Sequence, residues 1–155
     1  MTRRSGGILL WRRRDSRLEV LLGHPGGPLF ARKDAGVWTV LKGEIEPGED
    51  ALAVARREFE EETGHPAPAG EEISLGEIRQ KGGKVVEAWA LEGDLDPALA
   101  RSNTFRMEWP PRSRRFAEFP EIDRVAWFGL EVARDKVNPA QVPLLERLAD
   151  AVERG

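Results

Sequence analysis

Residues 43–64 read GEIEPGEDALAVARREFEEETG, a segment that combines a turn, helix-capping residues and closely spaced glutamates. Asp50 follows the turn residues Pro47 and Gly48 and belongs to the residue types that cap the free backbone amides at a helix N terminus. Gly64 is typical of a C-terminal cap, and Pro66 prevents the helix from continuing. The pattern therefore predicts a helix over residues 51–63.

The predicted helix has two distinct faces. At about 100° per residue, an apolar stripe runs along one side and three carboxylates gather on another. The stripe consists of Leu52, Ala55, Phe59 and Thr63, and the carboxylates are those of Glu58, Glu61 and Glu62. Like charges at these spacings repel, and a divalent cation would remove the repulsion because Mg²⁺ prefers oxygen ligands. These residues alone leave two interpretations open, a metal site and the solvated acidic face that charge runs usually form.

A wider pattern around the three glutamates favours the metal site. The segment resembles the Nudix box, which asks for a glycine, five residues, a glutamate, seven residues, Arg-Glu, a large apolar residue, any residue, Glu-Glu, any residue, a glycine and a final apolar residue. Those positions are held here by Gly43, Glu49, Arg57, Glu58, Phe59, Glu61, Glu62 and Gly64. The box departs only at its final apolar position, which is His65.

The resemblance implies roles for these residues. Glu58, Glu61 and Glu62 are implied to bind catalytic Mg²⁺ together with the backbone carbonyl of Gly43, and Mn²⁺ is the expected substitute. Arg57 and Glu49 are implied to orient the carboxylates through charge-assisted hydrogen bonds. Candidates for the base that activates water are Glu58 and Glu61 within the box, and Glu118 and Glu87 outside it.

Several basic and aromatic residues are candidates for substrate binding. Lys42 is favoured as a phosphate clamp because it adjoins Gly43, and Arg32 and Lys33 are further candidates. Lys84 and the segment Arg112-Ser113-Arg114-Arg115 could also pair with phosphate. Trp38 or Trp109 could stack on a base, whereas Trp11, Trp89 and Trp127 lie in predicted strands and are expected in the core.

The rest of the chain predicts an α/β fold. Strands are expected at residues 6–11, 18–23, 37–41, 73–80, 84–91 and 124–128, with a closing helix at residues 140–153. Residues 92–123 contain several prolines and little periodicity, which predicts a long irregular segment. The element order suggests a mixed sheet covered by helices on both sides. The resemblance implies a Nudix-type α/β/α sandwich with a mixed β-sheet, formed by a single domain over residues 1–155.

Composition limits the classes of function. The chain has no cysteine and only two histidines, which excludes thiolate sites and argues against a histidine-built zinc site. A formal net charge of −3 favours a small anionic substrate over a nucleic acid polymer. Apolar runs are too short for a membrane span or a normal signal peptide, so no membrane association and a cytoplasmic location are expected. We expect a monomer or a homodimer.

Three functions follow from the resemblance as expectations. The first is Mg²⁺-dependent hydrolysis of a diphosphate bond in a nucleoside triphosphate or dinucleoside polyphosphate. The lead-in at residues 38–43 resembles that of family members acting on dinucleoside polyphosphates, except that Leu41 stands where a proline is usual. The alternatives are hydrolysis of ADP-ribose or a nucleotide sugar, and a catalytically silent domain that senses a nucleotide.

Overall fold

A six-stranded sheet forms the centre of the computed structural model, which describes residues 2–154. Its strands are β1 (Arg4–Arg14), β2 (Arg17–Pro25), β3 (Leu41–Glu44), β4 (Ile73–Arg79), β5 (Val85–Glu92) and β8 (Ile122–Gly129). Two further strands, β6 (Thr104–Glu108) and β7 (Phe116–Pro120), pair as a separate hairpin. The helices are α1 (Ala51–Thr63), α2 (Leu130–Lys136) and α3 (Val142–Arg154). The predicted domain also includes Met1 and Gly155, which lie outside the described residues.

The sheet is mixed, as predicted. The strand order across the sheet is β4-β5-β1-β2-β8. One edge of β1 pairs with β5. Its other edge pairs with β3 along the first half of β1 and with β2 along the second half. Strands β1 and β5 are parallel, and the other pairs are antiparallel. Strand β1 is therefore the central element, and it carries β3 and the loop that leads into α1.

Helices cover both faces of the sheet because successive strand residues point to opposite sides. Ile8 and Leu10 pack with Phe59 of α1 on one face, while Leu9 packs with Leu144 of α3 on the other. Both clusters are buried, and together they fix α1 and α3 on opposite sides of β1. Within residues 2–154, no helix combines the length and apolar composition that a membrane span would need.

Helix α1 has the predicted bounds, Ala51–Thr63, and the predicted caps. The Asp50 carboxylate accepts the backbone N–H of Ala53 at 3.0 Å. Gly64 adopts the left-handed conformation with φ of 77°, and its N–H donates to the Glu60 carbonyl. Phe59 and Thr63 are fully buried as expected, whereas Leu52 at the start of the stripe is half-buried.

Three elements differ from the sequence-based expectation. The strand predicted at residues 37–41 is wrong, because β3 covers Leu41–Glu44 while Trp38 and Thr39 make only isolated bridges. The segment at residues 92–123 is not mostly irregular, since β6 and β7 form within it. Helix α2 was not predicted. Residues 37–40 are mostly apolar because Trp38 packs in the core, not because they form a strand. An apolar run of this kind was therefore mistaken for a strand.

Candidate active site

Two glycines let α1 approach the sheet closely. Gly6 of β1 pairs with Gly43 of β3, and a Cβ on Gly6 would meet the backbone carbonyl of Ala51. A Cβ on Gly43 would overlap the carboxylate of Glu58. Glycine at position 43 therefore leaves the space in which the Glu58 carboxylate lies against the loop backbone.

Glu62 is the most buried of the three box glutamates. Glu62 lies in the last turn of α1, and 7% of the residue is exposed. Its Oε1 accepts the backbone N–H of Lys42 at 3.2 Å. Burial raises the pKa of the Glu62 carboxyl well above its ordinary value, and the neighbouring Glu58 charge adds to the effect. Burial lowers the pKa of the Lys42 ammonium, although Glu62 opposes that shift.

Glu58 and Glu61 lie nearer to solvent than Glu62. The Glu58 side chain is 17% exposed and that of Glu61 is 43% exposed. Burial raises the pKa of the Glu58 carboxyl, and repulsion by Glu61 raises it further. A mutual repulsion of this kind is what a bound cation would relieve.

Arg57 connects the box carboxylates to the loop before α1. Its Nη1 donates to Glu49 at 2.7 Å, and its guanidinium lies 3.8 Å from Glu58 and 3.9 Å from Glu61. Glu49 is held in turn by the backbone N–H of Glu46. Arg57 therefore lies within ion-pair distance of two carboxylates of the acidic face, and its hydrogen bond to Glu49 fixes its position.

The acidic face fits a hard divalent cation by its chemistry. Three carboxylates and the Gly43 carbonyl supply oxygen donors, which Mg²⁺ prefers. Among residues 2–154, no three acidic or histidine side chains already form a closed set of ligands, because Glu62 is turned towards Lys42. The side chains of α1 would have to converge further to coordinate one ion together.

A cavity of about 300 Å³ lies beside Lys42 and Glu62. Its other charged wall residue is Glu121, which directly precedes β8, and partial burial raises the pKa of the Glu121 carboxyl while Lys42 opposes that shift. The remaining walls are Pro25, Phe30, Gly36, Val37, Thr39, Val40, Gln80, Ile122, Asn138 and Gln141. The cavity thus combines two carboxylates, one ammonium, several amides and an apolar wall.

Comparison with known proteins agrees with this arrangement. The family model described as the NUDIX domain matches residues 1–148. The chain belongs to the Nudix family. The predicted Nudix-type α/β/α sandwich is confirmed.

One curated relative and two solved structures illustrate the likeness. The chain is 29% identical over 146 residues to the 8-oxo-(d)GTP phosphatase of Mycolicibacterium smegmatis (strain ATCC 700084 / mc(2)155), covering 88% of this chain and 38% of that protein. The chain therefore spans well under half the length of that relative. The Ap4A hydrolase of C. elegans in a binary complex superposes with a TM-score of 0.66 at 21% identity, covering 99% of this chain and 100% of that one. The NUDIX domain of Shewanella oneidensis NrtR, complexed with ADP ribose, gives 0.67 at 16% identity, covering 98% and 89%.

The base candidates outside the Nudix box occupy different places. Glu118 lies exposed on β7 opposite Arg106 and does not line the cavity. Glu87 of β5 is bound by Arg4 at 3.2 Å and also lies outside the cavity. Glu121, which sequence reasoning missed, does line it. The only signal in the sequence is an acidic residue just before β8, within the segment predicted to be irregular.

The candidate phosphate clamps of this Nudix chain separate into two groups. Lys42 lines the cavity, and Lys84 lies close enough to lower the pKa of Lys42. Arg32 and Lys33 are exposed in the loop after β2 and are absent from the cavity wall. Residues 112–115 form the tip of the β6–β7 hairpin, where the Glu108 carboxylate accepts the backbone N–H groups of residues 112 and 114.

The two tryptophans predicted to stack on a base, Trp38 and Trp109, lie in different environments. Trp38 is 3% exposed, donates from Nε1 to Asp34 at 2.8 Å and packs edge-on against Phe128. The hypothesis that Trp38 stacks on a base is therefore wrong, because both the ring and its polar atom are already used inside the fold. Trp109 lies at the start of the hairpin tip, away from the cavity wall.

Proposed function

We propose that the chain is a divalent-cation-dependent pyrophosphohydrolase that cleaves a diphosphate bond in a nucleoside triphosphate or dinucleoside polyphosphate. The observation that supports it is the cavity whose wall contains both the buried Glu62 carboxyl and the half-buried Lys42, next to the other box carboxylates. A nucleoside polyphosphate needs both an acidic metal site and a cation for its remaining charge. The cavity wall and the adjoining face of α1 offer the two together.

Different side chains have different roles in this reaction. Glu58, Glu61, Glu62 and the Gly43 carbonyl would hold Mg²⁺, for which Mn²⁺ is the expected substitute. When bound, the ion supplies charge neutralisation on the diphosphate and lowers the pKa of water. Arg57 holds the Glu58 and Glu61 carboxylates in place, and the Lys42 ammonium binds a phosphate oxygen.

Glu121 is the preferred candidate for accepting a proton from the attacking water. It lies in the cavity wall with Lys42, and partial burial raises the pKa of its carboxyl, which makes the carboxylate a stronger base. Glu58 and Glu61 remain candidates for the same role, while Glu118 would have to act from outside the cavity. The reaction takes a small nucleotide-type substrate and requires no nucleic acid polymer or membrane.

Hydrolysis of ADP-ribose is the second candidate function. It is motivated by the ADP-ribose complex of the similar NUDIX domain. A nucleotide sugar belongs to the same chemical class because it also carries a single diphosphate. A silent nucleotide-sensing domain is the third reading, and the retention of all three box glutamates in one face of α1 supports an enzyme over it.

A substrate panel tests the proposal directly. The full chain is incubated with nucleoside triphosphates, 8-oxo-dGTP, diadenosine tetraphosphate, ADP-ribose and a nucleotide sugar, in Mg²⁺, in Mn²⁺ and in excess chelator. We expect turnover of a triphosphate or tetraphosphate with either ion, and none with chelator. Full activity in chelator would overturn the metal requirement, and no turnover of any member would favour the sensing domain.

Lys42→Ala separates the first two candidate substrates. If Lys42 binds an additional phosphate, the substitution lowers kcat/KM for diadenosine tetraphosphate more than for ADP-ribose, because only the longer chain reaches this cation. Lys81→Ala, on the exposed turn between β4 and β5, is the matched control. An unchanged ratio of the two specificity constants, or a wild-type preference for ADP-ribose, would place ADP-ribose first.

A further inference from the structure

A buried amide at the start of α3 sets the orientation of its neighbours. Gln141 is 1% exposed, and its Oε1 accepts the backbone N–H of Val40 at 2.9 Å. A backbone N–H can only donate, so this bond fixes which end of the Gln141 amide is oxygen. The Gln141 Nε2 then donates to Thr39 Oγ1 at 2.9 Å and to Gln80 Oε1 at 2.8 Å.

The Gln80 amide is oriented through this relay. Because Gln141 Nε2 is a donor, the Gln80 atom facing it must be the oxygen. The Gln80 NH₂ group is then the end left for the cavity, and it makes no hydrogen bond within residues 2–154. Gln80 is half-buried and lines the cavity, and its nitrogen is not among the buried unpaired atoms of the described residues, so the NH₂ group is accessible to solvent.

Asn138 presents the same kind of group by an independent route. Its Oδ1 accepts the backbone N–H of Ala140 at 3.0 Å, which caps the turn Pro139–Gln141. The Asn138 NH₂ group therefore also remains for the cavity that it lines. Two amides, each oriented by a chain of bonds that ends on a backbone N–H, offer this cavity donors.

The cavity also provides apolar surface for a flat ring. Phe30, Val37, Val40 and Ile122 contribute to its wall, and its volume of about 300 Å³ lies at the small end of ligand pockets. Donors, apolar walls and the Lys42 ammonium in one cavity fit a nucleotide, whose base and phosphates need different partners.

We propose that the Gln80 and Asn138 amide donors select a nucleotide with a 6-oxopurine base, guanine or hypoxanthine, over one with adenine. Guanine presents two acceptors, O6 and N7, on one edge, whereas adenine replaces the first by an N6 amine that can only donate. An amine facing fixed amide donors leaves both groups unpaired. The inference rests on the proposed function in taking this cavity as the nucleotide site.

Direct binding tests the selection without relying on turnover. The affinities of GTP, ITP and ATP for the full chain are measured by titration calorimetry in excess chelator. We expect GTP and ITP to bind at least about tenfold more tightly than ATP, since one good pair of base contacts gives discrimination of this order. ITP carries the O6 acceptor but lacks the 2-amino group of guanine, so its affinity shows whether O6 alone gives the selection. Equal affinities, tighter binding of ATP, or no binding of any of the three would overturn the inference.

Gln80→Glu is the sharper test, because it changes one atom of the relay. A glutamate oxygen still accepts from Gln141 Nε2, while the atom facing the cavity changes from donor to acceptor. We expect the ratio of GTP to ATP affinity to fall by about tenfold. The ratio removes the general effect of an added negative charge on triphosphate binding. Asn138→Asp should act in the same direction because its oxygen can still cap Ala140.

The control is Asn103→Asp, which makes the same chemical change on an exposed residue outside the cavity. Its affinity ratio should remain that of the natural chain, and thermal unfolding checks that all variants are folded. A ratio unchanged in Gln80→Glu and Asn138→Asp would overturn the inference even if nucleotides are hydrolysed. If the ratio changes but no substrate is turned over with Mg²⁺, the base selection stands and the proposed function fails.

Discussion

The Glu62 carboxylate accepts the backbone N–H of Lys42 at 3.2 Å, so the last acidic residue of α1 is bonded to the strand residue that precedes Gly43. This bond joins α1 to β3 through two residues that both line the cavity. Lys42 and Glu62 therefore depend on each other for position. The Glu62 carboxyl is buried and the Lys42 side chain is half-buried, and burial shifts the pKa of each towards its neutral form.

Glu62→Gln should keep this bond and lose the charge. An amide oxygen can still accept the Lys42 N–H, but it binds Mg²⁺ poorly, so we expect turnover to fall by at least about a hundredfold with the fold intact. The pKa of Glu62 is raised above its ordinary 4.5 by burial, so its contribution to stability is present below pH 4.5 and is lost as the pH rises. In chelator at neutral pH, the variant should therefore resist urea better than the natural chain. Near-normal turnover would contradict the assignment of Glu62 as a metal ligand.

Gly43→Ala should remove activity through a steric overlap. The added Cβ would occupy the space of the Glu58 carboxylate, which must then move away from the loop carbonyl. We expect a loss of turnover of at least about tenfold together with weaker Mg²⁺ activation. Gly129→Ala is the control, since that glycine has no atom within 4 Å of an added Cβ and has φ of −63°. Equal kinetics for the two variants would show that the close approach is unimportant.

Arg57→Lys should separate geometry from charge. Lysine keeps the positive charge but cannot reach Glu49, Glu58 and Glu61 with one planar group. We expect turnover to fall by about tenfold, as is typical when a residue supporting metal ligands is lost. Arg56→Lys on the same helix is the control, because Arg56 binds Glu72 and the Pro68 carbonyl instead. The measurement is the steady-state turnover of each variant relative to the natural chain. A larger loss in Arg56→Lys than in Arg57→Lys would contradict the role of Arg57.

Glu121→Gln should lower turnover more than it weakens substrate binding. A base within the cavity contributes about a hundredfold to rate, and its loss should also alter the pH dependence of kcat. Glu118→Gln is measured beside it because Glu118 was the sequence-based candidate, and Glu131→Gln on α2 serves as an exposed control. A larger loss in Glu118→Gln than in Glu121→Gln would return the role to β7.

Asp34→Asn should change the acid sensitivity of the fold. A bond from Lys136, with a second from Trp38, holds the pKa of Asp34 below its ordinary 3.8. Its stabilising effect is therefore present above pH 3.8 and is lost as the pH falls through the lower folded value. The variant should be less stable than the natural chain at pH 7, and the difference should disappear in acid. Urea unfolding at several pH values measures it, with Asp150→Asn on α3 as the exposed control; a pH-independent difference would contradict the prediction.

Local signals explain what the sequence could predict. Helix α1 was predicted with its correct bounds because Asp50 and Gly64 act within one turn of its ends, and the placement of Glu58, Glu61 and Glu62 follows from helix periodicity alone. The Arg57 contacts with the acidic face follow for the same reason. These features need no knowledge of the rest of the chain.

Distant contacts explain what the sequence could not predict. Glu121 lies near Lys42 only because the first residues of β3 and β8 line the same cavity, and Gln141 reaches Val40 across 101 positions of chain. The β6–β7 hairpin was missed because prolines surround two short runs, although Phe105 and Phe119 are directly paired in it. No spacing rule within the sequence marks partners that only tertiary packing brings together.

The parallel pairing of β1 with β5 has a consequence for how the chain reaches its folded state. Arg4 aligns with Val85, so β1 is synthesised before the strand that pairs with it, which follows some eighty residues later in the chain. Closing so long a loop costs chain entropy before its contacts form, which slows folding. Gly43 pairs with β1 and Glu58 packs against it through α1, so the acidic face should reach its final arrangement only after β5 has docked. Ribosome-bound chains that end before residue 85 should consequently expose an unpaired, apolar strand edge of the kind that chaperones recognise.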